Sequence, residues 1–459
     1  MKPLLLIPLA AFWAVGCSDA DSCQESAATK NDSGTNHFTQ SKSKHAFSHP
    51  VKGLSNEEED RFILGKSFFR IPWVEAPSAT TARDGLGPLF NANTCIHCHP
   101  NNGAGIAVNE KGEMTRSYLL RLSHKNGTEK GLLEKNGFVP DSVYGAQLSR
   151  NGNQKVPAEA KVSVAYKEIN GTYPDGTGYR LRKAHYAVTD LAYGPFDKET
   201  LFAPRIGPAL IGLGLLEQIP EEDILAYADR EDKNQDGISG KANYAYNPET
   251  NRTELGRFTW KASATTVKHQ VAAAAHNDMG LSNPLFPAHN CTEKQEACLK
   301  EAQKGDHLFD LPEERLDAIR FYLSNLAIPL QRDPQNHREG EALFDTLQCT
   351  ACHVPDHKTA QGITIHPYSD LLLHDMGEGL ADGRSEFLAS GSEWRTPPLW
   401  GIGLYEKVSG EANYLHDGRA RSIEEAILWH GGEAQRSKEA FMALDKPSRE
   451  KLLGFLKSL

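Results

Sequence analysis

The chain has 459 residues, 39% hydrophobic and 24% charged, ordinary values for a soluble globular protein, and the length predicts two or three domains. The formal net charge of -10 argues against nucleic acid as a partner, because a phosphate-binding surface needs concentrated Lys and Arg. The same charge is compatible with a basic small-protein partner.

Residues 1–17 read as an export signal. Lys2 supplies the positive end, and Leu4 to Val15 form an apolar run too short to span a bilayer. The run ends at Ala14-Val15-Gly16-Cys17, which resembles the lipidation box of bacterial lipoproteins, although Leu usually stands where Ala14 does. Lipidation at Cys17 is therefore expected, the alternative being an ordinary secretory signal cleaved nearby. Ser18 in place of Asp favours the outer membrane, so the expected location is the periplasmic side of a bacterial envelope, lipid-anchored. Residues 18–49 are polar, without an apolar period, and read as a disordered tether.

Glu58 to Phe69 predicts a helix with an apolar stripe and an internal glycine, Gly65, suited to a close helix crossing. Cys95-Ile96-His97-Cys98-His99 follows. In this spacing two thiols can add to the vinyl groups of one haem while the adjacent His is placed under the iron. A thioredoxin-type thiol pair or half a zinc site are the alternatives, but neither needs a His directly after the second Cys. The motif recurs as Cys349-Thr350-Ala351-Cys352-His353. Two copies behind an export signal predict two covalent c-type haems on Cys95, Cys98, Cys349 and Cys352, with His99 and His353 as proximal ligands.

Residues 100–255 carry Gly- and Thr-rich stretches with alternating apolar residues, which suggest loops and a few short strands. Within them, Asp232, Asn234 and Asp236, the glycine at 237 and the backbone carbonyl of Ile238 have the order of a calcium loop. Asn243 stands where the closing bidentate Glu is usual, so a plain polar turn is the alternative. Cys291 and Cys298, close together in an exported chain, predict a local disulfide. Cys23 has no evident role.

Leu316 to Leu323 predicts a later helix, and Pro329 and Pro334 mark a junction. Arg338 to Phe344, with Gly340, then repeats the first pattern upstream of the second Cys pair, and Lys451 to Leu456 supplies a closing helix. A first and last helix crossing beside a haem is the plan of class I cytochromes c. The expected fold is therefore mainly α, with two class I cytochrome c-like domains at 50–330 and 331–459, the first enlarged by long loops and a few short strands. Ser422-Ile423-Glu424-Glu425 is a capping box, and Ile423, Ala426, Ile427 and His430 fall on one helical stripe stopped by Gly431-Gly432. His430 is the candidate sixth ligand of the second haem, and Met376 is its rival. At the first haem, His124 and His185 lie in the right part of the chain for a sixth position.

Several stretches point to one family. They include Gly212-Leu-Gly-Leu-Leu-Glu217, Gly256-Arg-Phe-Thr-Trp260, Gln270-Val-Ala, Asp278-Met-Gly, His374-Asp-Met-Gly377, Trp394-Arg-Thr-Pro-Pro-Leu-Trp400 and Leu415-His-Asp-Gly-Arg-Ala-Arg421. Over about residues 55 to 459 the chain resembles the bacterial di-haem oxidoreductases, distant relatives of the di-haem cytochrome c peroxidases and the MauG-type enzymes. The resemblance implies that Trp260 bridges the haems and that Gln270 and Asp278 line the peroxide side of haem 1. It also puts His430 where the peroxidases carry a Met. The chain departs from the pattern in reading Trp-Lys-Ala after the bridge, in having Asp for Glu, and in a Gln-to-acid spacing of eight instead of ten. A core aromatic and a surface carboxylate are the plain alternatives for Trp260 and Asp278.

The expected function is peroxide reduction at haem 1, with electrons relayed through haem 2 from a small-protein or other donor. A di-haem electron carrier without its own substrate, and a MauG-like oxidase of a partner protein, are the competing readings.

Overall fold

Ser55 opens the first long helix, α1 (Asn56–Arg70), with a complete capping box: its side chain accepts from the Glu58 amide while Glu58 accepts from the Ser55 amide. The apolar side of α1 buries Phe62, Gly65, Phe68 and Phe69. These and all following details come from a computed structural model that describes residues 35–109, 111–302 and 308–459. Cys17 and Cys23, with the signal and most of the tether, lie outside the described residues.

After α1 the chain forms an antiparallel ladder of β1 (Leu119–His124) with β4 (Thr200–Arg205), and a long hairpin of β2 (Lys161–Thr172) and β3 (Gly178–Thr189) between them. Three further helices follow: α2 (Val267–Met279), α3 (Glu313–Ser324) and α4 (Arg338–Thr346). α5 (Ile423–Trp429) and α6 (Lys446–Ser458) complete the frame of the site. Gly65 marks where α1 crosses α3, since a Cβ there would meet the Ala318 carbonyl and the Tyr322 Cβ at 2.8 Å. Gly340 does the same for α4 and α6, against Lys451 and Phe455. Glycine is required at both because the helix backbones touch.

The expectation of a mainly α fold is corrected here. The chain is 31% helix and 19% strand, with twelve α-helices and seven two-stranded sheets among the described residues. The strands come chiefly from the 100–255 region, and they are neither few nor uniformly short. Lys161–Thr172 and Gly178–Thr189 carry alternating Val, Ala, Tyr and Ile, the period of a half-buried strand, and pair over twelve residues each. The hairpin then straps the C-terminal part: Glu168 pairs with Arg421, the Tyr173 hydroxyl donates to Glu424, and Asp175 pairs with Arg449.

Residues 35–49, placed in the tether on composition, also differ from that reading. Phe38 and Thr39 pair in parallel with Ile328 and Pro329, and Ala46 and Phe47 are completely buried. Two phenylalanines in a polar stretch are enough to dock it. Most of the largest core cluster comes from residues before 330, but Ile363, Leu371, Leu372, Trp400 and Val408 join it. No helix among the described residues is long and apolar enough to cross a membrane.

Candidate redox centre

Each Cys-x-x-Cys-His segment is a single tight turn. Thr94 anchors the first by donating its hydroxyl to the Phe69 carbonyl at the end of α1, and His99 closes it by donating its amide to the Cys95 carbonyl (2.8 and 3.0 Å). The second turn closes identically, His353 N–H to the Cys349 carbonyl at 2.9 Å. The four thiols are free. Burial pushes Cys95 and Cys349 up to about 12, the reverse of what a thiol-exchange pair requires.

Three histidine rings are oriented by the same device. The Nδ1–H of His99 is donated to the Pro208 carbonyl (2.8 Å), that of His353 to the Tyr368 carbonyl (2.9 Å), and that of His430 to the Ala426 carbonyl (2.7 Å). A carbonyl can only accept, so Nδ1 carries the proton and Nε2 keeps its lone pair, the state a metal ligand needs. Burial, and next the Tyr368 bond and His430, set the balance at His353, which ends near 4. Neutral imidazole is thus the resting form. All three rings and all four thiols line one cavity of ≈ 610 Å³. Met376 lines it too; His374 is also on the wall, but both its nitrogens are taken by Asp370 (2.7 Å) and Glu433 (2.8 Å).

Helix α2 forms another wall. Thr266 caps it by accepting from the His269 amide, and Gly280 ends it in the left-handed conformation. Val271, Ala272, Ala275 and Met279 are buried, whereas Gln270, Ala273, Ala274 and Asn277, at i, i+3, i+4 and i+7, stay half-buried on the cavity wall, which His269 and His276 of the same helix also line. Two alanines between two amides make a flat face that a porphyrin could cover. None of these four offers an imidazole or thioether. Asp278 is at the end of the same helix and receives Gln147 Nε2 at 2.8 Å, with Arg121 Nη2 at 4.0 Å. Burial raises its pKa, partly countered by Arg121 and Gln147. Its charge is felt at both Cys95 and Cys98.

Trp260 is half-buried on the cavity wall, and its indole N–H donates to the Ile206 carbonyl at 2.8 Å, two residues before the Pro208 that holds His99. Its own carbonyl accepts from the Arg395 amide at 2.9 Å. Thr396, the next residue, accepts from Ser369, which follows the Tyr368 that holds His353. Trp260 is therefore tied through its indole to the segment that holds His99 and through its carbonyl to the one that holds His353.

Other expected residues lie elsewhere. His124 and His185 are on β1 and β3 and do not line the cavity. Cys291 and Cys298 are joined by a disulfide. In the Asp232 turn, both Asp232 oxygens accept the Gly237 amide at 3.2 Å, Asn234 Nδ2 donates to Asp236, and Asp236 accepts the Ile238 amide. These bonds curl the turn. Asn243 is no closing ligand, being buried and hydrogen-bonded to Lys261, Glu386 and Leu388. No group of three or more His, Cys, Asp or Glu among the described residues forms a metal cluster. Gln147, Arg121 and Asn277 escaped the sequence reading. Gln147 and Arg121 come from loop and strand positions over 130 residues from Asp278, with no local pattern to single them out.

Paired Cys-x-x-Cys-His turns, imidazoles poised at Nε2 and a shared apolar cavity define a haem-holding redox protein. The chain belongs to the di-haem oxidoreductase family: the family model described as "Di-haem oxidoreductase, putative peroxidase" matches residues 26–459. Haem is the cofactor that membership implies. No curated protein and no solved structure matches the chain.

Proposed function

We propose that the protein is an exported peroxidase-type enzyme with two covalently attached c-type haems, one on Cys95 and Cys98 under His99, the other on Cys349 and Cys352 under His353. The observation that carries this reading is the asymmetry of the cavity. His430 keeps Nε2 free near His353, whereas the α2 stripe of Gln270, Ala273, Ala274 and Asn277 carries no imidazole or thioether, and the two α2 histidines that also line the cavity, His269 and His276, pack against Phe286. One site is built for a sixth ligand and the other leaves room for a small molecule.

Haem supplies an iron that can accept a peroxide oxygen and the electrons that cleave the O–O bond. The chain's residues do the rest. Gln270 orients the peroxide by hydrogen bonding. Asp278 moves a proton from the proximal to the distal peroxide oxygen so that water leaves, and its burial-raised pKa suits a group that both takes and gives a proton. Gln147 holds the carboxyl in place. Trp260, tied to both histidine segments, is the bridge for electrons, which a small-protein or other donor restores through haem 2. Lipid on Cys17 would hold the enzyme on the periplasmic side of the outer membrane. Calcium at Asp232, Asn234, Asp236 and the Ile238 carbonyl is part of the proposal, supported by the curled turn. Calorimetric titration of the chelated protein should show one bound ion, and no heat would remove it.

Asp278→Ala should abolish peroxide turnover while both haems stay attached, read by stopped-flow kinetics alongside a haem stain. Wild-type turnover would sink the role of Asp278. The rival electron carrier predicts two low-spin, six-coordinate ferric haems that ignore peroxide.

A further inference from the structure

The cavity wall beside Trp260 holds more positive charge than the protein neutralises. Arg205 leaves β4 and pairs with Asp382 at 2.6 Å; Arg384 pairs with Glu386 at 3.1 Å; Lys261 lies 3.8 Å from Asp382. Three cations thus share two carboxylates, with side chains 7%, 2% and 0% exposed for Arg205, Arg384 and Lys261. Burial drives Lys261 down to about 8 and Arg384 to about 10, against the pull of Asp382 and Glu386. Two side-chain nitrogens, with one oxygen of Asp382, are also left without a hydrogen bond. Arg205 Nη2 is buried without a hydrogen bond, its nearest carboxylate oxygen being Glu386 Oε1 at 3.6 Å. His416 Nε2 is buried and unpartnered, its ring stacked on Trp394 at 3.7 Å with a 9° interplanar angle. Arg205, Arg384, Trp394 and His416 all line the cavity. A buried, unpaired donor is costly unless a ligand completes it.

We propose that Arg205 and His416, backed by Arg384 and Lys261, form the seat of the propionate carboxylates of haem 1. This rests on the reading that haem 1 is held at Cys95 and Cys98. A haem bonded through its vinyl groups turns its propionate edge to the far side of the ring. Cys98 Sγ meets the Arg116 carbonyl at 3.3 Å, which puts the Arg116 segment, not the Arg205 group, at the thioether edge. Arg205 is nevertheless three residues before Pro208, at most about 10 Å of chain from the carbonyl that holds His99. A carboxylate there would accept a charge-assisted hydrogen bond from Arg205 Nη2, and a second from His416 with its proton on Nε2, and cancel the excess charge. The Ile206 amide, bonded to the His416 carbonyl at 2.8 Å, fixes the two donors relative to each other.

The test uses the holoprotein with Arg205→Gln and, separately, His416→Phe, which keeps an aromatic ring on Trp394 while deleting the donor. Haemochrome counting establishes haem content, resonance Raman reads the propionate bending modes, and spectroelectrochemistry reads each midpoint potential. Both variants should shift the haem 1 propionate modes, and Arg205→Gln should lower the haem 1 potential, because a positive charge beside the ferrous form is lost. Unchanged haem 1 modes in His416→Phe, or a shift confined to haem 2, would overturn the proposal even if Arg205→Gln fails to fold. A chain lacking haem on Cys95 and Cys98 overturns both readings, and the haem count tells that case apart.

Discussion

A metal-ligating histidine almost always donates its other ring N–H to an acceptor that fixes tautomer and orientation, and here backbone carbonyls accept it from His99, His353 and His430. The choice of carbonyl matters for His430, which sits at the C-terminal cap of α5 and turns its ring back onto Ala426. Replacing it by thioether should alter haem 2 without altering the fold. We expect His430→Met to raise the haem 2 midpoint potential, since His/Met ligation gives higher potentials than bis-His, and redox titration in the visible region checks this. An unchanged potential would hand the ligand role to Met376. Gln147 acts at the same scale through Asp278: Gln147→Leu should leave haem content intact but shift the acid limb of the peroxide rate–pH profile upward, because one of the two groups holding the carboxylate charge is gone.

Among the elements, α2 and the glycine crossings matter most. On the proposed reading the small α2 face seats the haem 1 ring. Ala274→Leu would fill that space with three more carbons, and haem 1 occupancy should fall while the circular dichroism of the chain is kept. The crossings make a different demand. In Gly65→Ala the new methyl would meet the Ala318 carbonyl and the Tyr322 Cβ, so α1 and α3 must separate. A loss of about 1–3 kcal/mol in denaturant unfolding is expected, as for overpacked cores. The β2–β3 hairpin shows how far an insertion can act: through Glu168, Tyr173 and Asp175 it braces Arg421, Glu424 and Arg449, and so the helix that delivers His430.

Buried ionisable groups make the whole molecule acid-sensitive. Burial lowers His269 to about 4 and pushes His416 well down, so the folded state resists protons that the unfolded chain accepts below about 6.5. Their stabilisation is therefore present above that pH and lost as it falls. Glu386, held near 2 against its burial by Arg384 and Arg205, adds a second loss below about 4.5. His374 works the other way: its Asp370 and Glu433 partners raise it well above 6.5, so its contribution is kept in acid and lost at high pH. The melting temperature should fall between pH 6.5 and 4 and drop further below. A flat profile across that range would contradict the burial of His269 and His416.

What the sequence by itself determined is local chemistry. Both Cys-x-x-Cys-His turns, the Ser422 cap on the Glu425 amide and the internal glycines are short-range patterns, because contacts between near neighbours fix them. The resemblance of about residues 55 to 459 to the di-haem family was legible in the same way, from scattered short motifs, and the family model matches 26–459. The strand content of the 100–255 region was under-read because strand pairing is non-local: β1 finds β4 some 80 residues later. Only the tertiary structure decided which carbonyl holds each histidine, that Gln147 and Arg121 attend Asp278, that Asn243 is unavailable to a cation, and that Arg205 and His416 are left with donors to spare. Such facts depend on segments far apart in the chain meeting around one cavity, and no periodicity within either segment records the meeting.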